Sequence, residues 1–447
     1  MTLPPGSSVP GPLALLQWML WPTETFDKGF RDYGDLFTLK NPLYGTEVVV
    51  SHPELIKQIF TGDPDVFHGG EASAPIRPVV GSRSVLLLDG REHHRERKLL
   101  LPPFHGERLA IYADVMRGIA SRVIDAWPLQ KPFSLLPSMQ RITFDAILET
   151  VFGVHDQAEQ APLRDSIVAL LNRAQSPLGM VWLLPALQRD LGPLTGWAAI
   201  KRLIQASDEA LYALITRARA TASDASTRTD ILSMLLAAVD EQGEPMSDEE
   251  LRDELMTMLL AGHETTAMAL GWAVEEIARR PEVLGRILEE LRSAPSDQAH
   301  RGPLPYLDAT IKEVLRLHPV APLLTRRLTA PISLRGYEIP AGMYLIPCVY
   351  LAHRHPDYWD EPAAFRPERF LNKHKKPDPY AWIPFGGGTR RCVGMAFALL
   401  EMRVVLATLL PRVRLRLPDK PAKVSLRGFL FAPSGGPRVI VEERSPE

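Results

Sequence analysis

The most regular hydrophobic pattern of the chain lies in its second half. Apolar residues recur there at intervals of three and four, for example at Leu251 and Leu255, which is the period of an α-helix. Ser247 and Glu250 form a capping-box pattern at the start of this stretch, and Pro281 ends it. The pattern predicts a helix of about 50 Å. Because apolar positions occupy more than one face, we expect this helix to be largely buried.

Helical spacing also dominates residues 109–215 and returns at residues 306–318. Short β-branched runs predict a hairpin over residues 35–51 and further strands near the C-terminus. We therefore predict a mainly α protein with small β-sheets (α+β) that forms a single domain over residues 1–447. A β-rich N-terminal part, about residues 30–80, and the C-terminal strands would pack beside a helical body.

Composition narrows the possible functions. The chain has 447 residues, 45% of them hydrophobic, and a formal net charge of -2, so nothing indicates a nucleic-acid partner or a polybasic membrane contact. Two cysteines, Cys348 and Cys392, are too few for a disulfide scaffold and fit a reducing compartment. The apolar run at residues 13–21 is shorter than a spanning helix. We therefore expect a soluble, cytoplasmic protein without a membrane anchor.

A polar cluster interrupts the predicted long helix near its middle. Residues 261–266 read Ala-Gly-His-Glu-Thr-Thr. No second histidine follows four residues after His263, which excludes the zinc-binding helix of metalloproteases. Local strain or a hydrogen-bonded pair in the core would explain the cluster without any chemistry. Polar content in an apolar helix nevertheless calls for a reason.

A glycine-rich loop at residues 385–394 is the second candidate site. It reads Phe-Gly-Gly-Gly-Thr-Arg-Arg-Cys-Val-Gly, and a helical pattern starts at Met395. Glycines permit positive φ angles and close approach of a flat ligand, and a helix N-terminus with Arg390 and Arg391 beside it favours a thiolate at Cys392. A structural turn and a thiolate ligand for haem iron both fit. The spacing excludes a P-loop and the dinucleotide-binding motif.

This loop resembles the haem-binding signature of the cytochrome P450 family, Phe-x-x-Gly-x-Arg-x-Cys-x-Gly. The matching residues are Phe385, Gly388, Arg390, Cys392 and Gly394. Residues 261–266 are similar to the oxygen-activation motif of the same family, with Glu264 in place of the commoner aspartate. The resemblance implies the cytochrome P450 fold. Haem b would lie between the long helix and the helix after the loop, with the Cys392 thiolate as the iron ligand.

Further site residues are implied by the resemblance. Those expected to bind the haem are Cys392, His93, Arg97, Arg326, Phe385, Arg390, Gly394 and Ala261. Arg327 stays an alternative to Arg326 for a haem propionate. Glu313 and Arg316, joined by Arg369, would form an internal structural network. The implied substrate pocket includes parts of a loop over residues 67–81. Its expected members are Ile76, Val79, Val80, Leu86, Trp182, Leu183, Leu323, Leu324, Phe429 and Leu430.

The resemblance also implies a haem-dependent monooxygenase that hydroxylates or epoxidises a hydrophobic small molecule with O2 and two electrons. Glu264 would relay protons from solvent, and Thr265 would hydrogen-bond the reacting oxygen and its water. The apolar pocket favours a terpenoid, a steroid or another apolar secondary metabolite, with a fatty acid as the alternative substrate. A haem-thiolate peroxygenase or isomerase, a non-enzymatic haem carrier or gas sensor, and a nucleotide-binding protein are weaker alternatives.

Electrons would come from a separate ferredoxin or flavodoxin with its NAD(P)H reductase. The expected docking contacts are Arg95, Lys98, Arg391 and Arg403, so the docking would be electrostatic. We also expect a monomer.

Overall fold

The computed structural model describes residues 3–106, 108–154, 157–174, 188, 196–220, 230–295, 302–372, 376–418 and 420–445. Trp182 and Leu183, which the sequence assigns to the pocket, lie outside these ranges. The α-helices in the described ranges are α1 (Gly11–Leu20), α2 (Glu24–Tyr33), α3 (Pro53–Thr61), α4 (Arg77–Val80), α5 (Gly90–Leu100), α6 (Arg108–Asp125), α7 (Leu136–Val151), α8 (Gln157–Ala174), α9 (Trp197–Ala220), α10 (Ile231–Ala237), α11 (Asp248–Ala278), α12 (Pro281–Ser293), α13 (Pro305–Leu317), α14 (Val349–Ala352) and α15 (Met395–Leu409). None of these helices has both the length and the apolar character needed to span a bilayer.

The strands are short. They are β1 (Leu36–Asn41), β2 (Gly45–Val50), β3 (Phe67–His68), β4 (Pro132–Ser134), β5 (Arg326–Leu328), β6 (Ile332–Leu334), β7 (Tyr337–Ile339), β8 (Tyr344–Pro347), β9 (Val413–Arg416), β10 (Val424–Arg427), β11 (Leu430–Pro433) and β12 (Arg438–Arg444). A five-stranded sheet has the order β1-β2-β8-β5-β3, a three-stranded sheet the order β4-β12-β9, and β6-β7 and β10-β11 form separate pairs. The predicted N-terminal hairpin is confirmed by the antiparallel pairing of β1 with β2. The mainly α architecture with small sheets is also confirmed.

The predicted long helix is α11, which has 31 residues and a length of about 46 Å. Its capping box is confirmed, because the Ser247 hydroxyl accepts the N–H of Glu250 and the Glu250 carboxylate accepts the N–H of Ser247. Helices α7, α9 and α15 contact it along its length. Most of its residues are therefore buried, including several charged ones.

The segment predicted as a loop over residues 67–81 is more regular than expected. It contains β3, a 3-10 helix (Glu71–Ile76) and α4. The Asp89 carboxylate accepts the N–H groups of Gly69, Gly70 and Glu71 at 2.9, 3.0 and 2.9 Å. These N–H groups open the helical turn and need an acceptor. Because Asp89 is distant in sequence, local patterns could not reveal this cap.

The predicted internal network of Glu313, Arg316 and Arg369 is present. Arg316 and Glu313 are both 0% exposed, and Arg316 donates to the two carboxylate oxygens at 2.8 Å each. The Arg369 Nε lies 3.4 Å from the same carboxylate. Arg316 also donates to the carbonyl of His353 at 2.9 Å, and the His353 Nε2 accepts the N–H of Ile383 at 2.8 Å. The network thus supports the chain just before Phe385.

This network predicts a large stability difference between two arginine variants. Arg316→Met leaves the buried Glu313 carboxylate without its main cation and should lower the free energy of unfolding by about 3–5 kcal/mol. Arg366→Met removes an ion pair with Glu361 whose side chains are 48% and 70% exposed, so the loss should be at most about 1 kcal/mol. Denaturant unfolding measures both. Equal losses would contradict the structural role of the buried pair.

Candidate active site

A cavity of about 750 Å³ lies between α11 and the loop that leads into α15. Its residues from α11 recur at intervals of three and four, so they form one face of the helix. They are Glu254, Thr257, Met258, Ala261, Gly262, Thr265, Thr266 and Ala269. Phe385, Cys392 and Gly394 from the loop line the same cavity. The two motifs singled out in the sequence, more than 100 residues apart, therefore meet at one site.

The Cys392 loop is shaped by glycine and by one backbone hydrogen bond. The Cys392 N–H donates to the Phe385 carbonyl at 2.9 Å. Gly388 has a φ of 65°, and a Cβ there would lie 2.0 Å from the Phe60 carbonyl oxygen. No side chain fits between this loop and α3. A Cβ at Gly394 would instead meet no protein atom within 4 Å, so the loop leaves open space on its cavity side.

The electrostatics of Cys392 differ from the expectation. Its side chain is exposed to the cavity, and protein surrounds it otherwise. Burial raises the pKa of its thiol, and this outweighs the N–H of Gly394 and the charges of Arg97 and Arg391, which lower that pKa. Burial therefore opposes the thiolate that the helix end and the arginines favour. A bound metal ion would reverse this balance, because coordination deprotonates a thiol outright.

Two arginines and a histidine converge on the cavity. His93, Arg97 and Arg326 line it, and no ion pair joins them to an acid within the described chain. The hydrogen bond of the Arg326 side chain goes to the carbonyl of Thr325. Burial lowers the pKa of His93 to about 4 and that of Arg326 to about 10, and the charge of Arg390 acts in the same direction. Such a cluster suits a ligand that carries carboxylates.

The neighbouring arginines of β5 take different roles, because successive strand residues point to opposite faces. Arg326 is buried and faces the cavity, whereas Arg327 is 40% exposed and pairs with Glu71. The structure therefore favours Arg326 as the ligand-binding arginine. Arg390 also lines the cavity, but its guanidinium binds Asp89, so it already has an anionic partner in this arrangement.

Thr265 and Glu264 point in different directions from α11, since consecutive helical residues differ by about 100°. The Thr265 Oγ1 donates to the carbonyl of Ala261 at 2.6 Å, and both residues line the cavity. Glu264 does not line it. The Glu264 carboxylate accepts both its hydrogen bonds from Gln140 Nε2, at 3.0 and 2.9 Å, and lies 2.9 Å from the Nε of Arg427. Neither of these two partners was singled out in the sequence.

A family model described as Cytochrome P450 matches residues 4–437. The chain belongs to the cytochrome P450 family. It is 38% identical over 443 residues to a putative cytochrome P450 135B1 of Mycobacterium tuberculosis (strain ATCC 25618 / H37Rv), which covers 99% of this chain and 92% of the relative. A putative cytochrome P450 138 of the same strain is 38% identical over 419 residues, with 93% and 90% covered.

Solved P450 structures share the fold. The retinoic acid bound cyanobacterial CYP120A1 has a TM-score of 0.85 at 24% identity, with 99% of this chain and 100% of that chain covered. The cytochrome P450DA heme domain has a TM-score of 0.84 at 25% identity, with 100% and 98% covered. With the family model and the relatives, this identifies the protein as a cytochrome P450 monooxygenase whose cofactor is a cysteine-ligated haem b.

The cavity fits the haem of a P450. Cys392 lines it, whereas the other cysteine, Cys348, is buried in a separate core cluster. Gly394 leaves space beside the Cys392 loop. The two positive charges of Arg97 and Arg326 match the two propionates, and His93 lines the cavity as well. Residues of both α11 and α15 line the cavity, so the haem would lie between these helices, as the resemblance implies.

The residues that line the cavity of this P450 include only some of the substrate-pocket residues expected from the sequence. Five of the expected pocket residues line the cavity, and these are Ile76, Leu86, Leu323, Leu324 and Phe429. Val79, Val80 and Leu430 do not, which corrects the expectation for all three. Val79 packs against Trp197 and Ile200, Val80 is fully buried, and Leu430 packs on the main core. Neighbouring residues of one short segment diverge, so they cannot all face one cavity.

Sequence patterns also missed the residues that hold residues 81–85 in place, the segment that we call the cavity cover. The Asp253 carboxylate accepts the N–H of Arg83 at 2.8 Å, and a Cβ at Gly81 would lie 1.9 Å from its Oδ1. The Glu254 carboxylate accepts the N–H of Val85 at 2.6 Å. The signal was present, because charged residues on a helix expected to be buried must find partners.

A second group of possible metal ligands, Asp35, His52 and His355, is satisfied without an ion. The Nδ1 atoms of the two histidines accept the N–H groups of Glu54 at 3.2 Å and Asp357 at 3.3 Å. In this arrangement each ring carries a proton on Nε2. The His355 Nε2 lies 3.0 Å from Asp35 Oδ1 and donates to it. An Nε2 that holds a proton is not a metal ligand.

Proposed function

We propose that this P450 oxidises a neutral apolar molecule, such as a terpenoid, a steroid or another apolar secondary metabolite. The observation that carries this proposal is the wall chemistry. The expected pocket residues that reach the cavity are all aliphatic or aromatic, and the buried cations near Cys392 are those proposed for the haem. Apolar contact supplies most of the affinity in such a site.

A fatty-acid substrate is the alternative, and one observation favours it. Lys28 and Lys40 also line the cavity, and both are exposed. Either ammonium group could pair with a substrate carboxylate. Exposed ion pairs contribute little because water screens them, so the neutral substrate stays the preferred proposal.

The iron ligand and the substrate class can be tested in one spectroscopic experiment. When bound to a thiolate, the reduced haem should give a strongly red-shifted Soret band with carbon monoxide. We expect this band in the wild type and in Cys348→Ala, and its loss in Cys392→Ala. A band typical of histidine-ligated haem in the wild type would refute the assignment of Cys392.

The same holoenzyme can then be titrated with camphor, progesterone and dodecanoic acid for spin-state shifts. Larger shifts with camphor or progesterone would support a neutral substrate. A dominant shift with dodecanoic acid that weakens in Lys40→Gln would instead support the fatty-acid alternative.

We propose that Thr265 and Glu264 deliver protons for the cleavage of O2, which the thiolate-ligated haem activates when bound. The hydroxyl of Thr265 lies at the cavity, and its oxygen can accept a further hydrogen bond beside the one it donates to Ala261. Glu264 is the preceding residue, and its partner Arg427 is 28% exposed. The order of these groups, from the partly exposed Arg427 through Glu264 to Thr265, supports the proposed route.

Thr265→Ala should uncouple the enzyme, because the proton-holding hydroxyl is lost. We expect reductant consumption to continue while hydrogen peroxide replaces most of the product. Thr265→Ser keeps the hydroxyl and should keep most of the coupling. Product, peroxide and reductant are measured together. Unchanged product per reductant in Thr265→Ala would remove this residue from the mechanism.

We propose a ferredoxin or flavodoxin, with its NAD(P)H reductase, as the electron donor of a monomeric cytoplasmic enzyme. The absence of any disulfide in the described chain fits a reducing compartment. The structure narrows the expected docking contacts. Arg95 pairs with Asp240 and Glu250.

Two of the other expected contacts are also paired with acids of this chain. Lys98 pairs with Glu241 and Arg403 with Asp308, so both charges are offset within the chain. Arg391 is exposed and forms no ion pair with a described residue. It is therefore the contact we retain.

Arg391→Gln should slow reduction by the ferredoxin several-fold at low ionic strength, because electrostatic attraction raises the association rate. Arg403→Gln is the matched control and should have little effect, since the Arg403 charge is already offset by Asp308. Stopped-flow reduction at increasing salt measures both. A rate that does not change with salt would contradict electrostatic docking.

A further inference from the structure

The β10–β11 hairpin connects Glu264 with the substrate cavity. Arg427 pairs with Leu430 across the hairpin, and Gly428 between them has a φ of 61°. Phe429 at the same tip lines the cavity. The Nε of Arg427 lies 2.9 Å from Oε1 of Glu264. Within one tight turn, one side chain thus borders the substrate space and another holds the proposed proton donor.

Glu264 is bound by groups that lie outside the cavity wall. Gln140 donates to both carboxylate oxygens, and neither Gln140 nor Arg427 lines the cavity. The Glu264 side chain is 2% exposed. Since the neighbouring Thr265 does line the cavity, the carboxylate must change partners before it can pass a proton to that side.

The Arg427 ion pair controls how readily this change occurs. A buried carboxylate is stabilised strongly by an adjacent guanidinium, and the attraction falls as the charges separate. Arg427 belongs to the same turn as Phe429, so a displacement of the Phe429 ring would act on the backbone that carries Arg427. A molecule that fills the cavity would favour any position of the tip in which Phe429 gives way, and such a difference in contact is what a population shift requires.

We propose that Arg427 is a positioning residue that restrains Glu264 until a substrate contacts Phe429, so that occupancy of the cavity licenses proton delivery. This inference rests on the proposed role of Glu264 as proton donor. The hairpin tip is the element with two positions, and the Arg427–Glu264 pair favours the resting one. A substrate displaces Phe429 and the pair loosens. The Glu264 carboxylate then takes a proton from solvent water, turns towards Thr265 as a carboxylic acid and gives up that proton there.

A purely structural tether is the competing account, and a pair of variants separates the two. Arg427→Gln removes the restraint, so the holoenzyme with ferredoxin and reductase should consume reductant several-fold faster without substrate. Phe429→Ala removes the contact with substrate, so less product should form per reductant consumed. The substrate in this assay is the one among camphor, progesterone and dodecanoic acid that gives the largest spin-state shift. The double variant should regain coupling, because Glu264 no longer needs release. A structural tether predicts additive damage instead.

A second readout does not depend on turnover. The infrared carboxylate band of Glu264, assigned by its loss in Glu264→Gln, should shift in Arg427→Gln and stay in place in Arg427→Lys, which keeps the charge. Arg416→Gln removes the ion pair between Arg416 of β9 and Glu442 of β12 and is the matched control, with no expected change. An unshifted band in Arg427→Gln, or a double variant that is worse than either single one, would overturn the inference.

Glu264→Gln separates this inference from the role on which it rests. If that variant keeps full coupling and an unchanged solvent isotope effect, the proton role of Glu264 is wrong and the restraint has no function. If it uncouples the enzyme and the double variant still fails to recover, the proton role stands and the inference about Arg427 alone is refuted.

Discussion

Burial of charged side chains along α11 is the constraint on which the rest of the structure depends. A buried charge is costly unless it is paired and hydrogen-bonded, and α11 carries several through the interior. Different neighbours bind these charges, although Oε2 of Glu254 has no hydrogen-bond partner among the described residues. Asp253 and Glu254 bind backbone N–H groups of the cavity cover, Glu264 binds Gln140 of α7, and Glu275 binds the N–H of Ala422. One helix therefore fixes the position of several elements around the cavity.

The same constraint joins the cover to the helices behind it. The Arg252 guanidinium donates to Asp208 of α9, to the adjacent Asp253 and to the carbonyl of Val79. Gly81 must lack a side chain because the Asp253 carboxylate fills that space. The polar residues of α11 thus fix the positions of the apolar residues in the segments that they bind. The apolar part of the cavity wall therefore depends on hydrogen bonds made by polar residues of α11, of which Glu254 also lines the cavity.

The haem site differs, because two of its positive charges have no acidic partners in the described chain. The buried carboxylates of α11 named above accept hydrogen bonds, whereas Arg97 and Arg326 meet at the cavity beside His93 without an ion pair to a described acid. Burial lowers the pKa of His93 and of Arg326, so the protein without its cofactor disfavours these charges. Burial likewise raises the pKa of Cys392. Propionates and iron correct both effects together, which explains why the residues fit the cofactor better than they fit one another.

The sequence by itself determined the features that are local or that a family signature fixes. The period of α11, its capping box, the N-terminal hairpin and the Cys392 loop could be predicted because each depends on neighbours within a few residues. The resemblance added the internal pair of Glu313 with Arg316, which the structure places in the core.

Only the tertiary structure decided which side chains meet across long separations. It separated Arg326 from Arg327 by the strand face on which each lies, and it offset the charges of Arg95, Lys98 and Arg403 with acids far away in the chain. It also turned Val79 and Val80 away from the cavity and brought Arg427 to Glu264. These outcomes depend on how distant segments pair. A shift of one residue in that pairing would turn a side chain to the opposite face of its element. The spacing of residues along the chain does not show which face is chosen.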